Sequence, residues 1–421
     1  MTASKQWRTA TVADICDLRN GHGFGPEDWT DDGLPIIRIQ NLNGGKNFDY
    51  FAGEPDARWL VEPGQLLFAW AGTKGVSFGP TVWRGPVGVL NQHIFKVHAK
   101  EGVHQDWLYW ALRYVTDRIE GSAHGFKATL VHVKKSDIDK QTVHVPPLLE
   151  QCRISQMLTV WDETIGRTQS VLENCTEQCQ ALLAMLLHLP PSNPSINSRS
   201  DNGGYPASVQ PGIPNLLPAP EGWRRTTLGR HLTEVRRPAV LNADETYRLL
   251  TVKRSRGGVE LRESLTGREI KTPTQFFVRT GDFLISKRQI VHGACGIVPA
   301  ELDGSVVSNE YAVLNSDGQI DLRFLRYLSE SRYFQQTCFH SSIGVHVEKM
   351  IFKTERWLKW PFNIPPLPVQ LRIVEVLDTA RREVELIAAQ IERLKQEKAA
   401  LMADLLSGKR RVRLLVAETT P

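Results

Sequence analysis

The sequence is poor in the residues on which covalent and metal chemistry most often depends. Six cysteines occur in 421 residues, and none is spaced as CxxC. That excludes a zinc ribbon and argues against a disulfide scaffold, so reduced thiols in a cytoplasm are expected. No apolar run approaches the length of a membrane span, and the opening MTASKQWRTA is polar. Neither a spanning helix nor a secretory leader is expected. The phosphate-loop pattern GxxxxGK[ST] is missing, and Gly72-Thr73-Lys74-Gly75 is too short to stand for it. Gly21-His22-Gly23-Phe24-Gly25 lacks dinucleotide-loop spacing and reads as a turn, and HExxH does not occur. The twelve histidines are scattered without ligand spacing. Pro146-Pro147 and Pro365-Pro366 follow Val145 and Ile364, where an amino-methyltransferase would place a polar residue to hold its target amine. The sequence offers no catalytic set and no metal or cofactor site, and activity in the chain itself is disfavoured.

What is present is a globular composition, with 41% apolar and 23% charged residues and a net charge of +5. The charge is uneven. Residues 1–146 carry 16 basic and 16 acidic side chains, whereas residues 221–364 carry 22 and 16. A polyanionic partner is plausible for the second block.

The chain repeats itself. Trp7-Arg8 with Thr11-Val12 recurs as Trp223-Arg224 with Thr227-Leu228, at an offset of 216. Pro63-Gly64-Gln65-Leu66-Leu67 matches Thr280-Gly281-Asp282-Phe283-Leu284 at 217, and Leu90-Asn91-Gln92-His93 matches Ser308-Asn309-Glu310-Tyr311 at 218. Val145-Pro146-Pro147-Leu148 matches Ile364-Pro365-Pro366-Leu367 at 219, as do Gln151 and Arg153-Ile154 with Gln370 and Arg372-Ile373. An ordered series at nearly constant spacing means two copies of one unit.

Each copy ends in a heptad pattern. Ile154, Leu158, Trp161, Ile165, Thr168, Leu172, Cys175, Cys179, Leu182 and Leu186 step by four and three. So do Ile373, Leu377, Ala380, Val384, Ile387, Ile391, Leu394, Lys398, Leu401 and Leu405. Nine of ten positions are apolar in each, the exceptions being Thr168 and Lys398. Two such stripes predict an intramolecular coiled-coil pair about 48 Å long, antiparallel if the chain has twofold pseudosymmetry. Cys175 and Cys179 read as small seam residues. Residues 190–220 hold eight prolines and read as an extended linker. Residues 34–39, 65–70, 94–98, 283–286 and 306–313 predict strands, and 103–119 and 322–336 predict helices. The expected fold is α+β, with two pseudo-symmetric mixed sheet and helix domains (1–146 and 221–364) separated by an antiparallel pair of long helices (147–189 and 365–421).

PPLLEQCRI (146–154) and PPLPVQLRI (365–373), each leading into a heptad helix, resemble the DNA-specificity subunits of type I restriction–modification systems. Leu405-Leu406-Ser407-Gly408-Lys409-Arg410 resembles that family's C-terminal end. Val369 in place of Glu150 and the long linker depart from the pattern. The resemblance implies a non-catalytic subunit that binds double-stranded DNA at a split sequence, one half per target-recognition domain, with the helices as spacer. It implies two docked methyltransferase subunits, restriction and motor subunits, and no membrane. S-adenosylmethionine, ATP and magnesium would then sit on those partners, with no cofactor in this chain. A pair about 48 Å long matches roughly 14 base pairs. The alternatives are a stand-alone DNA-modifying enzyme and a coiled-coil platform without a nucleic-acid role.

Lys and Arg hold phosphates, whereas Arg, Lys, Asn, Gln and His read base edges. In the first domain the candidates are Trp70, Thr73 and Lys74 in the 70–74 loop, then Arg38, Gln40 and Asn41, and Gln92 with His93. Lys127, Lys134 and Lys135 follow. In the second they are Lys287, Arg288, Gln289 and His292, the basic run of Lys253, Arg254 and Arg256, and His346 with Lys349. Trp70 is equally a core candidate, since seven of the eleven tryptophans lie in residues 1–146.

Overall fold

The computed structural model describes residues 7–122, 130–189 and 204–412. The chain divides into two compact units, Met1–Val171 with Ile387–Pro421, and Leu172–Leu386. Each unit therefore contains one globular copy and one end of each long helix.

In the first unit, Arg8–Thr11 pairs antiparallel with Thr142–Val145 and so joins the two ends of the lobe. A four-stranded sheet runs in the order Cys16–Asn20, Ile94–Ala99, Leu66–Ala69, Gly79–Val82. A second sheet runs Tyr50–Phe51, Leu34–Ile37, Gly88–Leu90, Leu60–Val61. The helix Gln105–Ser122 buries Trp107, Leu108, Ala111, Leu112 and Val115 against Phe68 and Phe95. That spacing of one and three or four residues is an amphipathic face.

The second unit repeats the plan. Arg224–Thr227 pairs with Pro361–Ile364. The first sheet runs Leu232–Glu234, Tyr311–Ser316, Phe283–Ser286, Cys295–Ile297. The second runs Val259–Thr266, Thr246–Val252, Val306–Ser308, Gln275–Phe277, with Pro238–Ala239 as an added edge. In both copies this second sheet contains the same parallel pair.

Two predicted elements are broken in the structure. The strand expected over 306–313 is two strands, Val306–Ser308 and Tyr311–Ser316, with a turn at 309–310. The helix expected over 322–336 is two, Leu322–Leu328 and Arg332–His340. Ser331 caps the second by accepting from the Phe334 amide at 3.2 Å, which a periodicity count does not see.

The long helices are Leu148–Leu186 and Leu367–Leu406. All twenty predicted seam positions are buried or half-buried. In the first unit Ile154 and Leu158 share a core with Met402, Leu405 and Leu406. In the second, Leu182, Leu186 and Leu187 pack with Ile373, Val374 and Leu377. Residue numbers rise along one helix as they fall along the other, so the pairing is antiparallel in each unit. The helix ends also belong to the lobes, since Ile154 and Leu158 lie in the same cluster as Trp107. Lys398, the charged seam residue, pairs with Asp162 and lies 4.6 Å above the Trp110 ring. Thr168 turns its hydroxyl back to the Thr164 carbonyl at 2.8 Å.

The linker expected over 190–220 is only partly described. From residue 204 on, it packs on the second domain rather than running free. Val209 is buried, and the Leu217 carbonyl accepts from Arg225 at 2.8 Å and Asn363 at 3.0 Å. Among the described residues no helix is long and apolar enough to cross a membrane.

Candidate nucleic-acid interface

The repeated PPxxxQ segment fixes where each long helix leaves its lobe. Gln151 is buried, its Nε2 donates to the Gly102 and Pro146 carbonyls at 3.1 and 2.9 Å, and its Oε1 accepts from the His104 amide at 2.7 Å. Gln370 does the same with the Gln319 and Pro365 carbonyls and the Asp321 amide, all at 2.9 Å. Only a primary amide offers two donors and an acceptor at that length. A glutamine is therefore required where the chain turns from strand to helix.

Glu150, beside the first clamp, explains the departure at Val369. Its buried carboxylate accepts from Trp7 Nε1 at 2.8 Å and from Arg411 at 2.9 and 3.0 Å. Burial pushes its pKa up, but the bonds from Arg411 and Trp7 outweigh that and hold it below the ordinary range. The Arg411 guanidinium also covers the Trp7 ring at 5.0 Å. The turn after the second long helix uses Gly408 at φ +76°, with Trp7 so close that a Cβ would sit 3.2 Å from the ring. In the second unit His188 takes that turn at φ +50° and packs edge-on to Trp223. Among the described residues no arginine is paired at that corner, and Val369 there packs against the core.

The sheet register realigns one repeat segment. Ile94 pairs with Ala69 as Tyr311 pairs with Ser286. His93 therefore occupies the place of Glu310, and Gln92 that of Asn309, one residue away from the alignment read in the sequence. Both pairs form the turn leading into a central strand. One side chain holds each turn from below. Trp70 Nε1 donates to the Gln92 carbonyl at 3.1 Å, and Lys287 Nζ to the Asn309 carbonyl at 3.4 Å. The backbone agrees, with the Trp70 amide on the His93 carbonyl and the Lys287 amide on the Glu310 carbonyl.

In the first domain the structure gathers Arg38, Gln40, Gln92 and His93 around one open depression of about 340 Å³. Arg38 lies over the Trp29 ring at 4.8 Å and pairs with Asp49. Gln40, Gln92 and His93 are exposed. Asn41 is turned inward: it accepts from the Arg38 amide at 2.9 Å and donates to the Gly45 and Asn47 carbonyls at 3.1 and 2.8 Å. It builds the loop instead of facing a ligand. Trp70 is half-buried between His93 and His132, at 5.2 and 4.8 Å.

The 73–74 pair lies apart from that depression. The Thr73 amide donates to Ser77 Oγ at 2.7 Å, and Lys74 Nζ to the Glu120 carbonyl at 2.8 Å, at the end of the helix Gln105–Ser122. Lys74 thus caps a helix C-terminus, a favourable place for a cation. The segment 75–79 carries a G-x-S-x-G spacing that motif reading passed over. It lies between two strands, Ala71–Thr73 and Gly79–Val82, not at the strand-to-helix elbow a nucleophilic serine needs. Lys134 is exposed, and Lys135 pairs with Asp139 at 2.6 Å. Lys127 lies outside the described residues.

In the second domain three sequence-distant candidate segments converge. The Ser255 and Arg256 amides donate to the His292 and Gly293 carbonyls at 2.8 and 2.9 Å. Glu348, in the hairpin loop between Ser342–Ile343 and Ile351–Phe352, reaches Arg254 at 2.9 Å and His292 at 3.2 Å. His346 and Lys349 on the same loop are exposed.

Of the residues expected to contact DNA, His292 is buried and Arg256 and Gln289 are half-buried. His292 is 2% exposed, its Nδ1 lies 2.9 Å from Ser208 Oγ, and burial, with Arg254 nearby, lowers its pKa. Arg256 donates to the Ser329 carbonyl at 3.0 Å, and Gln289 has its Oε1 buried. Lys287 is half-buried and tied to Glu234 at 3.1 Å. The outer cations are exposed but paired: Lys253 with Glu260 at 2.6 Å, and Arg288 with Glu310 at 2.6 Å. The sequence reading missed these carboxylate partners because it counted cations along the chain and not across strands. It also missed Asn309 and Glu310, which the repeat itself pointed to. Among the described residues no three His, Cys, Asp or Glu side chains gather as a metal site.

Residues 4–174 match the type I restriction modification DNA specificity domain. The chain is 26% identical over 186 residues to the EcoBI specificity subunit of Escherichia coli, a match covering 42% of this chain and 38% of that protein. It is 21% identical over 369 residues to the MjaVIII specificity subunit of Methanocaldococcus jannaschii, covering 85% and 81%. The fold is shared with the type I system S subunit from M. genitalium, at TM-score 0.51 and 13% identity over 96% and 97% of the two chains. A chain from a type I restriction–modification complex gives TM-score 0.55 at 15% identity over 96% and 98%. The family model covers the first copy, and the second copy repeats its sheet order and its glutamine clamp. The chain is thus similar to the specificity subunits of type I restriction–modification systems, by the family match over residues 4–174 and by 21% identity over 85% of its length.

Proposed function

We propose that this chain is the non-catalytic DNA-reading subunit of a type I restriction–modification assembly. Each recognition domain takes one half of a split sequence, and the helix pair sets the interval between halves. Two methyltransferase subunits dock on the chain and methylate adenine with S-adenosylmethionine. Motor and restriction subunits, with ATP and magnesium, join for cleavage. The chain itself holds no cofactor.

One observation carries this reading: the duplication is complete down to the turn and its anchor, so two equivalent polar faces stand on equivalent frames. Phosphate contacts fall to exposed cations such as Lys134 and Lys349. The paired ones are available too, because an exposed ion pair contributes only about 0–1 kcal/mol and a phosphate replaces the carboxylate at little loss.

The test is to combine the full chain with the methyltransferase subunit of its host and map methylated adenines on genomic DNA. One interrupted motif with an adenine in each half is expected. Methylation that does not depend on this chain, or an uninterrupted motif, overturns the reading. Binding should also weaken steeply with salt, and Lys349→Ala should lower the slope of log affinity against log salt by about one.

A further inference from the structure

The frames of the two copies agree, but the residues at the tips of their turns do not. Gln92-His93 and Asn309-Glu310 sit at the same register position, at the entrance to the same central strand. Both turns are held by a side-chain N–H from the residue after the neighbouring strand, Trp70 or Lys287. Two unlike residues perform one task, which marks the task as the placing of the turn. All four tip residues are exposed. Among the described residues, neither the Gln92 nor the Asn309 amide has a hydrogen-bond partner. Each turn borders an open depression, of about 340 Å³ in the first domain and about 460 Å³ in the second.

We infer that the turns Gln92-His93 and Asn309-Glu310 are the base-reading tips of the two domains, with Trp70 and Lys287 as positioning residues. The inference rests on the DNA-reading function proposed above and assigns its specificity. A two-residue turn is narrow enough for a major groove about 12 Å wide. Each tip carries an amide, the group that pairs bidentately with adenine. The second residue differs. His93 offers a ring nitrogen to a purine edge. Glu310 offers only acceptors, which suit the amino group of cytosine. Beside Glu310, and held by it at 2.6 Å, Arg288 stands ready for guanine O6 and N7, a group the first copy lacks at the equivalent Ala71. The two tips therefore prefer different half-sites on the same scaffold. Candidates such as Lys287 and Asn41 stabilise loops and do not choose bases.

The experiment selects bound duplexes from a randomised DNA library with the full chain, wild type and variants, and reads both half-sites from every selection. Glu310→Gln keeps the size of the side chain and adds a donor. It should change the base preference at one position of the second half-site by about tenfold or more and leave the first half-site as it was. Gln92→Ala should do the converse. Trp70→Phe keeps an aromatic ring, though a smaller one, and loses the N–H. It should blunt discrimination across the first half-site while affinity for unrelated DNA stays constant, a split that a purely structural residue would not produce. The inference is overturned if the Glu310→Gln and Gln92→Ala selections match the wild type, or if the variants lose affinity equally for all sequences. A wild-type chain that enriches no sequence overturns instead the DNA-reading function itself.

Discussion

Replacing Gln370 by leucine tests the proposition that one amide locks a long helix to its lobe. The substitution keeps the approximate volume and leaves three backbone groups without a partner: the Asp321 amide and the carbonyls of Gln319 and Pro365. A buried group stranded in this way costs about 1–3 kcal/mol. The leucine regains part of this by burying an apolar surface, so a net cost of about 3 kcal/mol is expected. Because the chain has two units, a single global unfolding curve would blur the effect. Hydrogen exchange resolves it by place. Amides in Leu322–Leu328 and in the first turns of Leu367–Leu406 should exchange roughly 150-fold faster, the factor that corresponds to 3 kcal/mol, while residues 102–112 around Gln151 stay protected. Gln151→Leu should give the mirror image. An acceleration below about threefold, or one spread equally over both units, would refute the clamp.

The carboxylate variant adds a pH signature. In Gln370→Glu the acceptor toward the Asp321 amide survives, but two carbonyls now face an oxygen. Burial and those carbonyls raise the pKa of the new group above the unfolded value of about 4.3. The protonated form alone can donate a bond. Relative to the wild type, the variant should be destabilised least below pH 4 and lose further stability as pH rises through the raised pKa.

Three further outcomes follow from side chains described above. Arg411→Ala leaves the Glu150 carboxylate buried without its guanidinium and should cost about 3 kcal/mol by chemical denaturation of the first unit. Because the folded pKa of Glu150 is depressed, its stabilisation is present above pH 4.5 and is lost as pH falls, and the same variant should flatten that acid limb in a thermal midpoint profile. His292 also has a depressed pKa but is a base, so it is neutral in the fold, and stability of the second unit should decline as pH drops below 6.5. His292→Gln should remove that decline between pH 7 and 5, and an unchanged profile would refute the assignment. Lys398→Ala, which loses both Asp162 and the Trp110 face, should lower stability by about 1–2 kcal/mol, whereas Lys398→Leu should stay within about 1 kcal/mol because the seam accepts an apolar side chain.

Much of the frame was legible because its causes are local and periodic. The seam positions follow from a 3.5-residue repeat, and the antiparallel pairing follows only when the duplication is taken to have twofold pseudosymmetry. The duplicated PPxxxQ segments were visible as letters, although the reason for the glutamine was not, since two of its three partners lie about 50 residues away along the chain. The breaks at 309–310 and 329–331 were missed for a related reason. A two-residue turn inside an apolar run and a serine cap inside a helical pattern leave the average hydrophobicity almost unchanged.

The site was harder to read than the frame, and the charges show why. A run such as Lys253-Arg254-Ser255-Arg256 looks like a phosphate grip when read along the chain. Across the fold, Lys253 meets Glu260, Arg254 meets Glu348, and Arg256 turns in to the Ser329 carbonyl. Lys287, the strongest second-domain candidate in the sequence, proves equivalent to Trp70, a residue whose core role was already in view. What the two copies share at a loop is therefore evidence of support: a carbonyl must be held, and either an indole or an ammonium holds it. What they do not share, His93 against Glu310 and Ala71 against Arg288, lies where the frame places no demand on the side chain. Two half-sites that differ must be read by residues that differ, so the positions that diverge on a common frame are the ones able to carry sequence information.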